Sequence, residues 1–345
     1  MKLKKTDFAS YCLNGICHGC KECVAGKKLV LFITGICAAN CIYCPLSEKR
    51  KNIDKIWANE RPCISVEEVI DEVRKANASG CGITGGDPLC KLERTIEYAS
   101  ALKKEFGKKF HIHIYLSTLL VDRERLQKLA EYVDEVRFHP GFLIGKGVNK
   151  DIEKIKLASE FWKKENIGVE MPCFPERKQE ILDFILKIRD YVGFVNLNEL
   201  EIGDSNFDYI TNKYELDKEG YTVQYSLEAG KWILRECEKA GLKLLVHLCS
   251  AETKNWYQFR NRLKNYEILP FGKKTKDGTV SYYAVYDSEF RKIGKELGKD
   301  AYIDEKKKRV ILNPEMLDRW KRRYKVELVE EYPTWDGDEV EREEI

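Results

Sequence analysis

From residue 28 onward, short apolar runs alternate with stretches of helical period. Leu29-Val30-Leu31-Phe32-Ile33 is a continuous apolar run of strand length, the pattern of a strand buried on both faces. Ser65-Val66-Glu67-Glu68 is a capping box that opens a helix to about residue 79. A strand is expected at 81–84, then a helix at 92–106, and a third strand at 111–116. Asp122 caps a helix to about 132. A fourth strand at 134–139 precedes a helix at 150–165, and a fifth at 168–172 precedes a helix at 177–191. A sixth strand at 194–200 leads to a helix at 226–240, and 242–247 reads as a closing strand.

Six βα units and one more strand, over about 220 residues, argue for a parallel sheet with covering helices. That many units around one core predict a full or partial barrel, whose chemistry lies at the C-terminal strand ends. From 251 the pattern changes. Residues 253–265 read as a basic helix, and 269–287 as a hairpin around Lys276-Asp277-Gly278. The expected division is a Cys-rich extension at 1–27, a barrel at 28–250 and a small α+β domain at 251–345.

Composition sharpens this picture. The chain has 345 residues, 43% hydrophobic and 34% charged, with 60 basic against 57 acidic side chains. This is the composition of a folded chain, and the net charge of +3 does not by itself suggest a nucleic-acid binder. The near balance hides a basic segment, 261–325, with 18 Lys and Arg against 10 Asp and Glu. No run of 18 apolar residues predicts a membrane span, and the first residues lack the apolar core of a secretory signal. The expectation is a cytoplasmic protein. In that reducing compartment clustered cysteines bind metal or do redox chemistry more often than they form disulfides. Of the 13 cysteines, seven lie between residues 12 and 44.

Three of those seven follow the first strand, in Cys37-Ala38-Ala39-Asn40-Cys41-Ile42-Tyr43-Cys44. Thiolates spaced C-x3-C-x2-C in one loop can converge on one metal cluster. Three ligands rather than four leave a coordination position open, as catalytic metal sites do. The second strand ends in Gly85-Gly86-Asp87-Pro88. Adjacent glycines let a ligand approach bare backbone, and a carboxylate there can accept from an ammonium group.

Together these motifs resemble the radical S-adenosylmethionine (SAM) enzymes. The resemblance covers about residues 28–250. It implies a partial (βα)6 barrel, a [4Fe–4S] cluster on Cys37, Cys41 and Cys44, and an aromatic residue at Tyr43. SAM would chelate the open iron, with its amino group at Gly85, Gly86 and Asp87; glutamate is commoner at the last position. Electron transfer to SAM would release methionine and a 5′-deoxyadenosyl radical that abstracts hydrogen from substrate, with a ferredoxin or flavodoxin as electron donor and anaerobic conditions expected. Within the family the chain resembles archaeal proteins related to the pyruvate formate-lyase activating enzyme, which implies a partner protein as substrate. The basic segment leaves tRNA as the alternative, and a non-enzymatic iron–sulfur or zinc-stapled binding protein as another. Ser117, Thr118 and Asn198 lie at strand ends and are candidates for contacts to SAM or substrate.

The other clustered cysteines are Cys12, Cys17, Cys20 and Cys23, spaced C-x4-C-x2-C-x2-C. Four thiols within 12 residues make a complete ligand set. The contiguous run favours an auxiliary iron–sulfur cluster over zinc, which usually takes two separated C-x2-C pairs. Cys249, at the end of the closing strand, can be a buried thiol, face substrate or complete a cluster. Lys254, Arg260, Arg262 and Lys264, interleaved with Trp256, Tyr257 and Phe259, suit phosphate and base contacts or an ordinary helix docked on the barrel. His111 and His113 start a strand and read as structural.

Overall fold

The computed structural model describes residues 3–345. An N-terminal hairpin, β1 (Leu3–Lys5) and β2 (Tyr11–Leu13), leads into α1 (His18–Val24) and β3 (Lys28–Phe32). A second hairpin, β4 (Ile56–Ala58) and β5 (Arg61–Cys63), follows a long loop. Then come α2 (Val66–Lys75), β6 (Gly80–Thr84), α3 (Leu92–Phe106), β7 (His111–Ser117), α4 (Arg123–Ala130), β8 (Glu135–His139), α5 (Val148–Ala158), β9 (Ile167–Pro172), α6 (Lys178–Ile188), β10 (Phe194–Asn198), α7 (Phe207–Lys213), α8 (Ser226–Lys239) and β11 (Leu245–Cys249).

The eleven strands form one sheet in the order β1-β2-β11-β10-β9-β8-β7-β6-β3-β4-β5. The seven in the middle are parallel, and the two hairpins close the edges antiparallel. This is the expected partial barrel: six helix-bearing crossovers and a closing strand. Local signals fix the helix starts. Ser65 Oγ accepts from Glu68 N at 3.4 Å, and Asp122 Oδ1 accepts from Arg125 N at 2.9 Å.

Alternation along the strands separates two environments. Leu29, Ile83, Ile114, Val136, Met171, Leu197 and Leu248 point to the helices and make the main core. Their neighbours Lys28, His113, Tyr115, Arg137, Glu170 and His247 carry the polar side chains and meet one another on the other face, inside the lumen. The closing strand starts three residues later than expected. Asn14 takes up the carbonyls of Leu242 (2.8 Å) and Leu244 (3.0 Å), so that stretch needs no ladder partner.

After β11 a π-helical turn (253–258) runs into α9 (Phe259–Asn265). This segment, grouped by sequence with the C-terminal part, lies against the first sheet. Asn261 donates to Val24 O, Arg262 pairs with Glu60, and Tyr266 donates to Glu72 at 2.6 Å. A second sheet follows, from β12 (Lys273–Lys274), β13 (Val280–Tyr286), β14 (Ala301–Asp304), β15 (Arg309–Leu312), β16 (Glu327–Glu331) and β17 (Glu339–Glu344). Its order is β14-β15-β13-β16-β17, with β12 on β13, and α10 (Phe290–Leu297) packs on β14 and β15. Among the described residues no helix is long and apolar enough to cross a membrane.

Candidate functional site

The loop between β3 and β4 carries Cys37, Cys41 and Cys44, and backbone hydrogen bonds lace it to the end of β6. Gly86 N donates to Thr34 O at 2.7 Å, and Asp87 N to Ile36 O at 2.9 Å. Glycine is required by this approach: a Cβ would stand 2.4 Å from Thr34 O at Gly85 and 2.4 Å from Ile36 O at Gly86. The loop closes on itself where Gly35 N donates to Ile53 O at 2.8 Å. Across the top, Ser205 Oγ donates to Cys44 O (2.7 Å) and Asn206 Nδ2 to Tyr43 O (2.9 Å). These two residues, on the short turn before α7, carry no sequence signal of their role; only the fold brings that turn to the cysteine loop.

All three thiols line one cavity of about 280 Å3, with Gly85, Gly86 and Ser117 on its wall. The Tyr43 ring stands edge-on to Phe174 at 5.2 Å, and burial raises its hydroxyl well above the ordinary range. Burial also pushes the Cys41 thiol up to about 11. An isolated thiolate is costly in such a pocket, and a cationic iron core would offset that cost. Among the described residues no three ligating groups are close enough to hold a single metal ion. In a four-iron cluster each thiolate binds a different iron, so its ligands stand further apart. Three thiols facing one cavity beside bare backbone therefore fit an iron–sulfur cluster with an adjoining zwitterion.

The remaining expected residues divide. Ser117 lines the cavity, although its Oγ also accepts from Leu119 N at 3.3 Å. Asp87 is fully buried and does not line the cavity: Oδ1 accepts from Leu89 N at 3.0 Å, capping a short 3-10 helix, and Oδ2 has no partner. Burial raises this carboxyl to about 6. Thr118 is buried as well. It donates to Asp151 at 2.5 Å and accepts from Gly141 N at 3.1 Å, bracing the turn after β8. Its threonine hydroxyl does not reach the cavity wall.

Asn198 belongs to a second cavity, deeper in the lumen, of about 120 Å3. It donates to Glu170 at 2.9 Å, and Asn196 donates to the same carboxylate at 3.2 Å. Arg137, fully buried, pairs with Glu135 (2.6 Å) and Glu170 (3.3 Å) and donates to Tyr115 Oη at 2.9 Å. Helix α1 covers this end of the lumen through Gly19 N, which donates to Glu135 at 3.1 Å. Cys20 and Cys23 on α1, with Cys17 just before its first residue, recur every third residue and turn to the lumen. Arg137 lies 3.4 Å from Cys17 Sγ, and Cys20 Sγ is 3.5 Å from Asn196 Oδ1. Cys12 lies on β2, paired in register with His247 and Lys4, and does not line the cavity that Cys20 and Cys23 share.

His111 and His113 are structural, as expected. Burial holds both below the ordinary imidazole range, His111 at about 4, and Lys28 Nζ contacts His111 Nδ1 at 2.6 Å. Three of the four cationic residues at 254–264, after β11, are matched: Lys254 pairs with Glu201, Arg260 with Asp277 and Arg262 with Glu60.

The sequence model of the Radical SAM superfamily matches residues 31–188. A Methanocaldococcus jannaschii protein with the name "Putative glycyl-radical enzyme activating enzyme" is 36% identical over 358 aligned positions, spanning 94% of this chain and 92% of that protein.

Proposed function

The chain belongs to the radical SAM superfamily, and on that footing we propose that it activates a partner protein by abstracting a hydrogen atom from it. When bound, the cluster supplies the electron that splits SAM into methionine and a 5′-deoxyadenosyl radical. Cys37, Cys41 and Cys44 would hold it, and SAM would lie against the backbone of Gly85 and Gly86. Asp87 acts indirectly, by fixing the turn that presents this backbone. Tyr43 and Phe174 close the pocket from one side and help to exclude water.

The observation that carries this reading is the convergence of three loop thiols and the Gly85–Gly86 backbone on one cavity. The choice of a protein substrate leans on the name of the M. jannaschii relative. Of the basic residues behind the tRNA alternative, Lys254, Arg260 and Arg262 are each paired with a carboxylate, which leaves them less available to phosphates. A ferredoxin or flavodoxin would serve as the physiological reductant.

The test uses anaerobically reconstituted protein with dithionite and SAM. The wild type should release 5′-deoxyadenosine, and the Cys37→Ala/Cys41→Ala/Cys44→Ala variant should not. Undiminished release from that variant would refute the assignment, and no release from the wild type would favour the non-enzymatic reading. Adding a glycyl-radical enzyme should then give a carbon-centred radical on that protein by electron paramagnetic resonance. A silent spectrum despite SAM cleavage would remove the activase reading alone.

A further inference from the structure

The deeper lumen cavity is lined by three thiols from two distant segments: Cys20 and Cys23 from α1, and Cys249 from the end of β11. Residues 226 positions apart in sequence are brought to one wall by the closure of β11 against β2. His247 lies on the same wall. Its Nε2 is 3.0 Å from Ser10 Oγ, while Nδ1 is fully buried and has no partner. An orphan nitrogen of this kind calls for a ligand. We propose that Cys20, Cys23, Cys249 and His247 form a second iron–sulfur site inside the lumen, in place of a set built from the four N-terminal cysteines.

Three observations carry this. First, the donors are soft thiols with one imidazole, the chemistry of iron–sulfur ligation. They are too widely spaced to hold a single ion, which disfavours zinc and suits a multi-iron core. Second, the cavity of about 120 Å3 is below the ~300–1,000 Å3 typical of organic ligand pockets, so it suits a compact inorganic group. Third, polar groups surround the thiols. Arg137 and Lys254 face the cavity together with Glu170, to which Arg137 is paired, and Gln258 Nε2 is 3.7 Å from Cys249 Sγ. Outer-shell donors of this type orient and tune thiolate ligands. Cys12 and Cys17 do not line this cavity; Cys17 lies beside Cys20, against Arg137 and Glu135.

Tyr115 lines both cavities, so the proposed site would adjoin the space into which hydrogen abstraction is directed. The inference does not depend on the substrate reading above, and its readout is metal rather than turnover. The test removes the first cluster with Cys37→Ala/Cys41→Ala/Cys44→Ala, reconstitutes anaerobically with iron and sulfide, and counts bound iron and zinc. That background should keep about four irons if the second core is of the common [4Fe–4S] type, with charge-transfer absorbance near that of an iron–sulfur chromophore. Adding Cys12→Ser should leave the iron unchanged. Adding Cys249→Ser, or Cys20→Ser/Cys23→Ser, should cut it at least fourfold. Folding is checked by placing Cys249→Ser in the otherwise unchanged chain, where the first cluster's iron must persist. The proposal is overturned if the background binds no iron, if it binds zinc instead, or if Cys12→Ser abolishes binding while Cys249→Ser does not.

Discussion

Asn206 holds the backbone of Tyr43 in place: its side-chain nitrogen donates to the Tyr43 carbonyl at 2.9 Å and to the Glu201 carbonyl at 3.0 Å. Its oxygen accepts from Gly203 N at 2.7 Å. One buried amide therefore ties the cysteine loop to the end of β10. Asn206→Ala removes all three bonds and leaves buried groups unpaired, at a cost of about 1–3 kcal/mol. The expected outcome is a lower denaturation midpoint with iron lost several times faster from the reconstituted protein. Unchanged iron retention would mean that the loop is fixed by its own turns alone.

Gly86 offers a sharper probe of the SAM surface. A Cβ there would lie 2.4 Å from Ile36 O and 2.6 Å from Gly35 O, both backbone atoms with little freedom to move. Gly86→Ala should push the cysteine loop away from the turn after β6. SAM affinity, measured by equilibrium dialysis on the reconstituted protein, should fall at least tenfold, about 1.4 kcal/mol or more. Iron content should fall less, because the thiols themselves are untouched. Equal SAM binding in the variant would mean that SAM does not lie on this backbone.

Much of this architecture was legible in the sequence because its determinants are local. The capping residues Ser65 and Asp122 sit where the helices begin, and the apolar runs at 81–84 and 111–116 are strands within a residue or two. The Cys37–Cys44 spacing and the glycine pair are also local, so the first site could be read directly. What failed to show was set by pairing between distant residues. The partnership of β2 with β11 sets His247 opposite Cys12, and Cys249 reaches one cavity with Cys20 and Cys23 of α1. No spacing rule encodes that. Asp87 and Thr118 look like ligand residues in sequence, yet Asp87 Oδ1 caps the turn after β6 while its Oδ2 has no partner, and the Thr118 hydroxyl bonds Asp151. Ser205 and Asn206 read as ordinary loop residues because their partners lie about 160 positions away.

The second sheet is held by a buried ion cluster. Arg309, fully buried, donates to Asp304 at 2.8 Å and to both oxygens of Glu331 at 2.7 and 2.8 Å. Arg309→Met leaves the Asp304 carboxylate without its cation and Glu331 with Lys307 alone (2.6 Å), and should cost about 3–5 kcal/mol. Adding Asp304→Leu and Glu331→Leu should recover part of that loss, since apolar replacement of buried charges is often neutral, while Lys307 loses its bond to Glu331. Chemical denaturation of the three proteins checks this. Failure of the triple variant to recover would show that the charges also specify the strand register.

Glu72 gives the docking of the α9 segment a pH dependence. Burial raises its carboxyl above the ordinary range, and the bond from Tyr266, which works the other way, does not fully offset this. Its second oxygen has no partner. An acid whose folded pKa exceeds its unfolded value binds its proton more tightly when folded. Its protonated form is therefore the stabilising one. That contribution is complete below the unfolded value of about 4.3 and is lost as pH rises through the higher folded value. Glu72→Gln carries a permanent neutral amide and lacks this dependence. Wild type minus Glu72→Gln stability, from denaturant titrations at several pH values, should shift against the wild type as pH rises from about 4. Tyr266→Phe leaves the carboxylate unpaired, so its penalty, about 1–3 kcal/mol at neutral pH, should shrink as pH falls and Glu72 protonates. A pH-independent Tyr266→Phe penalty would mean that the hydroxyl acts through Asn59, whose side-chain nitrogen donates to it at 2.8 Å.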